Sequence, residues 1–179
     1  MPTLEAHRAL LTRRRDELAG RARHRGWKLG RDLPGVDGVA LGYLTSTTEL
    51  TDGDRCHGAW SSTLRAETEV AIVVGEGLAV ALQVVDVART PEGAIVANSF
   101  HRAVACGPTI GNPAVGGATL TINGTRQEAD RGPHDPDVVL EVVSELLTAV
   151  GEQLRPGDHV LSATISGLGQ TSIHLTRHR

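Results

Sequence analysis

Two apolar runs constrain this chain most. Glu67 to Val74 alternates and then becomes continuously apolar, and Leu78 to Val87 is apolar and largely β-branched. Runs of this length and composition read as strands entering an interior. Aromatic residues make up only 2% of the chain, so the core must come from Val, Leu, Ile and Ala. The 21 scattered glycines favour a turn-rich β or α+β fold over a helical bundle.

The remaining pattern fits around those strands. Residues 3 to about 25 read as an amphipathic helix, with Leu4, Leu11 and Leu18 on one face and Thr3 as N-cap. Residues 30–38, with Pro34, read as a loop. Val39 to Leu44 and Ala103 to Cys106 read as short strands, and residues 45–62 as polar and irregular. Ala118 to Asn123 alternates, and Asn123-Gly124 is a hairpin signal with a return strand over Thr125 to Ala129. Asp135-Pro136 opens a helix as N-cap and first residue, and Gly151 stops it. A turn at Arg155 to Asp158 precedes strands over His159 to Ile165 and Thr171 to Thr176. The expectation is one α+β domain over 1–179, with the N-terminal helix in 1–26, a β-rich core over 27–179 and one late packed helix.

A net charge of −3 gives no case for a nucleic-acid partner. No apolar run approaches the ~20 residues of a membrane span, and the charged N-terminus does not read as a secretory leader. A cytoplasmic setting is therefore expected, with Cys56 and Cys106 free. Cys106 reads as a small buried apolar residue rather than a nucleophile.

The most informative local feature is Glu67-Thr68-Glu69. Alternate residues of a strand share a face, and two carboxylates among Val70, Ile72 and Val73 are costly unless they face water or share a cation. A hard divalent ion takes such ligands; an exposed strand face carries them equally well.

Several blocks, in order, resemble the 2-keto-4-pentenoate hydratase and 4-oxalocrotonate decarboxylase branch of the fumarylacetoacetate hydrolase family. Gly26-Trp27-Lys28-Leu29-Gly30 resembles the segment that supplies an active-site lysine. The stretch from Arg65 through Glu67 and Glu69 to Gly75 is similar to the metal-binding strand, and Ala81 to Asp86 to the next block. Asn98, Ile122-Asn123-Gly124, the segment from Gly151 to Ser162, and Gly167-Leu168-Gly169 follow in family order. The resemblance implies a distorted β-roll or sandwich of mixed sheet with peripheral helices, usually oligomeric. It implies Mg2+ or Mn2+ holding the carboxylate and oxo group of a small substrate and stabilising an enolate.

The chain departs from that pattern where the chemistry would sit. Gln83 replaces the third carboxylate ligand, which removes one charge. The segment from Glu69 to Gln83 and the stretch from Ser162 to Gly167 are shortened, and Ala163 replaces a glycine. Ser46 and Thr47 fall where the family has an acidic pair, and Phe100 and His101 where small hydroxyl residues are expected.

The roles that follow are expectations. Glu67, Glu69 and Gln83 would form the metal set. Lys28 would polarise or deprotonate the substrate, with Asp86 and His101 as further acid–base groups. Asn98, Arg102, Ser162 and Thr164 would bind the substrate. The leading expectation is a lyase or hydratase-type enzyme acting on a small enolisable 2-oxo acid or dienol. A metal-independent cyclase or isomerase of a β-dicarbonyl or polyene intermediate in specialised metabolism is the second. A non-catalytic partner of a hydratase-like enzyme is the third. A homo-oligomer, or a complex with a pathway enzyme, is the expected assembly.

Overall fold

The computed structural model describes residues 2–31, 38–58, 64–86, 95, 98–111, 119–122, 124–128, 135–163 and 172–177. Helix α1 spans Pro2–Ala19 and helix α2 Pro136–Ala149. The strands are β1 (His24–Arg31), β2 (Val39–Thr45), β3 (Glu49–Leu50), β4 (Arg55–Gly58), β5 (Leu64–Val73), β6 (Gly77–Asp86), β7 (His101–Cys106), β8 (Thr119–Ile122), β9 (Thr125–Glu128), β10 (His159–Ala163) and β11 (His174–Arg177).

Seven strands form one mixed sheet in the order β2-β1-β10-β5-β6-β7-β3. The pairs β1/β10 and β3/β7 are parallel, and the rest are antiparallel. Strands β2 and β3 lie at opposite edges, yet only residues 46–48 join them. So short a link forces the sheet to curl until its edges approach. An ion pair from Arg25 Nη2 on β1 to Glu49 Oε2 on β3, at 2.7 Å, spans the same gap. The result is an α+β fold built on a curled half-barrel.

Curling gives the sheet an outer and an inner face. Trp27, Leu29, Leu41, Tyr43, Val70, Ile72, Leu78 and Val160 pack in one cluster with Leu10 and Leu11 of α1 and Val139, Val143 and Leu147 of α2. The capped start predicted for α2 is present: Asp135 accepts from the Asp137 N–H at 2.9 Å, and Pro136 opens the helix. Gly151, at φ 78°, ends it. Arg14 of α1 lies 4.6 Å over the Trp27 ring and pairs with Glu152 at 3.1 Å, which pins the helix to the sheet. The inner face carries smaller side chains, among them Ala71, Ala79 and Ala81.

Two parts of the chain differ from the sequence reading. Helix α1 stops at Ala19, because Arg21 adopts a left-handed φ of 93° and His24 already pairs with Thr45. The residues up to 26 are therefore not all helical. Tertiary pairing outweighs the weak helical signal there. Gly26, at φ 146°, lies so close to β10 that a Cβ would meet His159 O at 2.0 Å, so only glycine fits. The polar stretch 45–62 contains β3 and β4, which form parallel pairs with β7 and β11. The hairpin of β8 and β9 forms as read, with Gly124 at φ 80°; Asn123 lies outside the described residues.

Candidate functional site

The polar residues of the inner face are placed by register. Glu67 stands opposite Gln83, and Glu69 opposite Ala81. Ala71 stands opposite Leu161, and Leu161 opposite Lys28. Strand alternation therefore puts Lys28, Glu67, Glu69 and Gln83 on one face. Lys28 is buried, and its Nζ lies 3.8 Å from Glu67 Oε2. Four of the proposed site residues are thus brought together.

A fifth, His101, joins them through a β-bulge. Val84 pairs with Ala103 but Val85 pairs with His101, so Arg102 is the extra residue. The bulge turns His101 to the Gln83 side, and it leaves Arg102 exposed. Gln83 Nε2 lies 2.9 Å from His101 Nδ1, and His101 Nε2 lies 2.9 Å from Thr48 Oγ1. Thr48 belongs to the short β2–β3 link, so the curl of the sheet itself delivers this contact. Sequence reading missed Thr48, since its partners come from elements distant in the chain.

Electrostatics separate the groups. Burial pushes the Glu69 carboxyl up to about 7; Lys28 opposes that shift and Glu67 adds to it. Glu69 is closely surrounded yet keeps some contact with solvent. Burial pushes His101 down to about 3, and nearby Lys28 adds to the effect. A neutral imidazole with both nitrogens engaged is a poor proton carrier. The His101 ring is thus held neutral between Gln83 and Thr48, while burial raises Glu69 toward neutrality.

The remaining expected residues are placed as follows. Asp86 ends β6 opposite Leu64, and alternation puts it on the other face from Gln83. Asn98 is buried at the open edge of β2. Its Oδ1 accepts from the Tyr43 N–H at 2.7 Å and its Nδ2 donates to Tyr43 O at 2.9 Å. That carboxamide takes the place of a neighbouring strand, and a Cβ at Gly42 would meet it at 3.1 Å. Ser162 shares its register position with Val70 rather than Glu69; Thr164 lies outside the described residues. Ser46 Oγ accepts the Arg23 N–H at 2.9 Å within the link. Burial pushes the Cys106 thiol up to about 12, as befits a small core residue.

The oxygens on this face suit a hard cation. Gln83 is fully buried, and its Oε1 has no hydrogen-bond partner. A buried carbonyl oxygen without a donor, beside two carboxylates, fits a divalent ion such as Mg2+. Among the described residues, no three His, Cys, Asp or Glu side chains form a ligand group. The oxygen donors on this face are the carboxylates of Glu67 and Glu69 and the amide of Gln83, with Lys28 on the same face.

No family model and no curated protein matches the chain. Solved structures do match. A 4-oxalocrotonate decarboxylase from Pseudomonas putida, complexed with magnesium and adipate, superposes with a TM-score of 0.73 at 16% identity, covering 96% of this chain and 85% of that one. The 5-carboxymethyl-2-hydroxymuconate delta-isomerase of Mycobacterium smegmatis gives 0.65 at 16% identity, over 86% of this chain and 77% of its own. The 2-hydroxyhepta-2,4-diene-1,7-dioate isomerase of Mycobacterium marinum gives 0.60 at 16% identity, over 86% and 74%. Among the described residues no helix is long and apolar enough to cross a membrane. The curled sheet, its two packed helices and these superpositions give the chain the fold of the fumarylacetoacetate hydrolase family, the same family its ordered sequence blocks resemble.

Proposed function

We propose that this protein is an enzyme that enolises a small oxo acid, or ketonises the corresponding dienol, on the inner face of its sheet. The observation that carries the reading is the buried Lys28, 3.8 Å from Glu67 and on the same face as Glu69. Lys28 donates hydrogen bonds to the substrate oxygen on which negative charge develops, and a pre-placed, buried donor stabilises that charge. Glu69, held near neutrality by its surroundings, takes a proton from carbon and returns it.

The first reading of the outcome is lyase chemistry, in which a bond to carbon breaks and leaves the enolate. A divalent cation held by Glu67, Glu69 and Gln83 would supply Lewis-acid stabilisation of the same charge. The second reading is an isomerase or cyclase that works without a metal. It is favoured by Lys28, whose ammonium already sets a positive charge beside Glu67. Decarboxylase and isomerase names among the structural neighbours support both.

The test is solvent-deuterium incorporation at C3 of 2-oxobutanoate, followed by proton NMR with and without Mg2+. The wild-type protein should catalyse exchange, and Lys28→Met should abolish it. Exchange in the presence of EDTA would select the metal-independent reading. No exchange under either condition, with this acid or with other small 2-oxo acids, would overturn the enolisation mechanism.

A further inference from the structure

Gln83, His101 and Thr48 form a chain whose direction is set at its far end. Thr48 Oγ1 donates its single proton to Thr45 O at 3.1 Å. With its proton so placed, Thr48 accepts from His101 Nε2, at 2.9 Å, which puts the ring proton on Nε2. Nδ1 is then an acceptor, and Gln83 Nε2 donates to it at 2.9 Å. If the carboxamide turned over, its oxygen would meet the Nδ1 lone pair and its nitrogen would lose its acceptor. The amide is thus locked.

The lock leaves Gln83 Oε1 as a buried carbonyl oxygen with no donor. Such a group costs free energy unless something supplies a donor. It lies directly opposite Glu67, on the face that carries Lys28. The two groups make opposite demands: the Lys28 ammonium attracts charged oxygens, whereas an amide oxygen repels them and, when no cation is bound, accepts from N–H or O–H. A 2-hydroxy acid, or the enol form of a 2-oxo acid, meets both demands with adjacent groups.

We propose that Gln83 Oε1, held by the Thr48–His101 chain, accepts a hydrogen bond from the ligand's enol or 2-hydroxyl group, so that His101 and Thr48 act as positioning residues. The proposal rests on the acid-binding reading above and names the group that Gln83 recognises.

Glycolate and propionate test it, since both are small monoanions and differ by a hydroxyl in place of a methyl. Their dissociation constants are measured by NMR titration in EDTA, beside a 15N measurement of the His101 tautomer at neutral pH. The wild-type protein should prefer glycolate by about tenfold, the worth of one neutral hydrogen bond. Gln83→Met and His101→Leu should erase the preference. His101→Asn, whose side-chain oxygen can stand in for Nδ1, should restore it. Equal binding of the two acids, a preference that survives in Gln83→Met, or a ring protonated on Nδ1 would each overturn the proposal. A preference abolished by Mg2+ would assign Oε1 to the cation and overturn it as well. If neither acid binds, the acid-binding reading falls together with the proposal; equal binding sinks the proposal alone.

Discussion

The two faces of the curled sheet use the same strands for different ends. Trp27 and Lys28 are neighbours on β1, yet Trp27 packs under α1 and α2 while Lys28 faces Glu67. Val70 and Glu69 divide β5 in the same way, as do Leu82 and Gln83 on β6. The outer face is apolar and covered, so its side chains earn stability from burial. The inner face keeps an ammonium, two carboxylates and a locked amide at some cost to stability. Period-two alternation lets one strand serve both without compromise at any single position. The lesson is that substitutions on adjacent residues should fall into different classes of effect.

The largest expected effect is on chemistry alone. Lys28→Met should lower exchange or turnover about a thousandfold, of the order of removing one pre-organised donor from a developing oxyanion, and leave the circular dichroism spectrum unchanged. On the covered face, Leu147→Ala should do the reverse. Leu147 is fully buried on α2, so its truncation should cost about 2–5 kcal/mol in denaturant unfolding. Activity per folded molecule should stay the same.

Glu69→Gln sharpens the contrast, because it should weaken chemistry and strengthen the fold. The folded carboxyl sits at about 7, above its ordinary value of 4.5. For an acid whose folded value is raised, the folded state holds the proton more tightly than the unfolded chain. Stability should therefore be greatest below about 4.5 as far as this group is concerned, fall as pH rises from there to about 7, and stay low above that. Replacing the carboxyl with an amide should recover on the order of 1–2 kcal/mol at pH 8, after allowing for its contact with solvent. Chemical denaturation of both proteins at pH 5 and pH 8 checks the sign.

A smaller effect concerns metal. Cation binding must displace the Glu69 proton, so Mg2+ affinity should rise by up to about tenfold per pH unit below 7 and level off above it. Isothermal titration at pH 6, 7 and 8 reads this directly. The smallest effect lies at the β2 edge: Asn98→Ala should cost about 1–2 kcal/mol by leaving the Tyr43 N–H and C=O unpaired, with little change in chemistry.

Much of this was legible in the sequence. The Glu67–Glu69 spacing, the apolar runs of β5 and β6, the Asp135-Pro136 helix start and the ordered family blocks pointed to the fold and to the carboxylate face. Lys28 and Gln83 were found through the resemblance and then placed by register. What was not legible depended on long-range closure. Thr48 and His101 meet only because the β2–β3 link closes the curl, and a single bulge at Arg102 decides which face His101 occupies. Asn98, expected to bind substrate, also pairs with a strand edge that no local pattern announces. The end of α1 was misjudged because Gly26 needs β10 beside it before its extended, close-packed conformation makes sense.

The central claim is that proton transfer occurs on the inner face and is separable from the packing of the outer face. Solvent-deuterium exchange into 2-oxobutanoate, measured side by side for the wild-type, Lys28→Met, Glu69→Gln and Leu147→Ala proteins at a temperature where all are folded, tests it most directly. The account predicts exchange by wild type and Leu147→Ala at equal rates, and loss of exchange in the two inner-face variants. Equal exchange in all four proteins, or loss confined to Leu147→Ala, would contradict it.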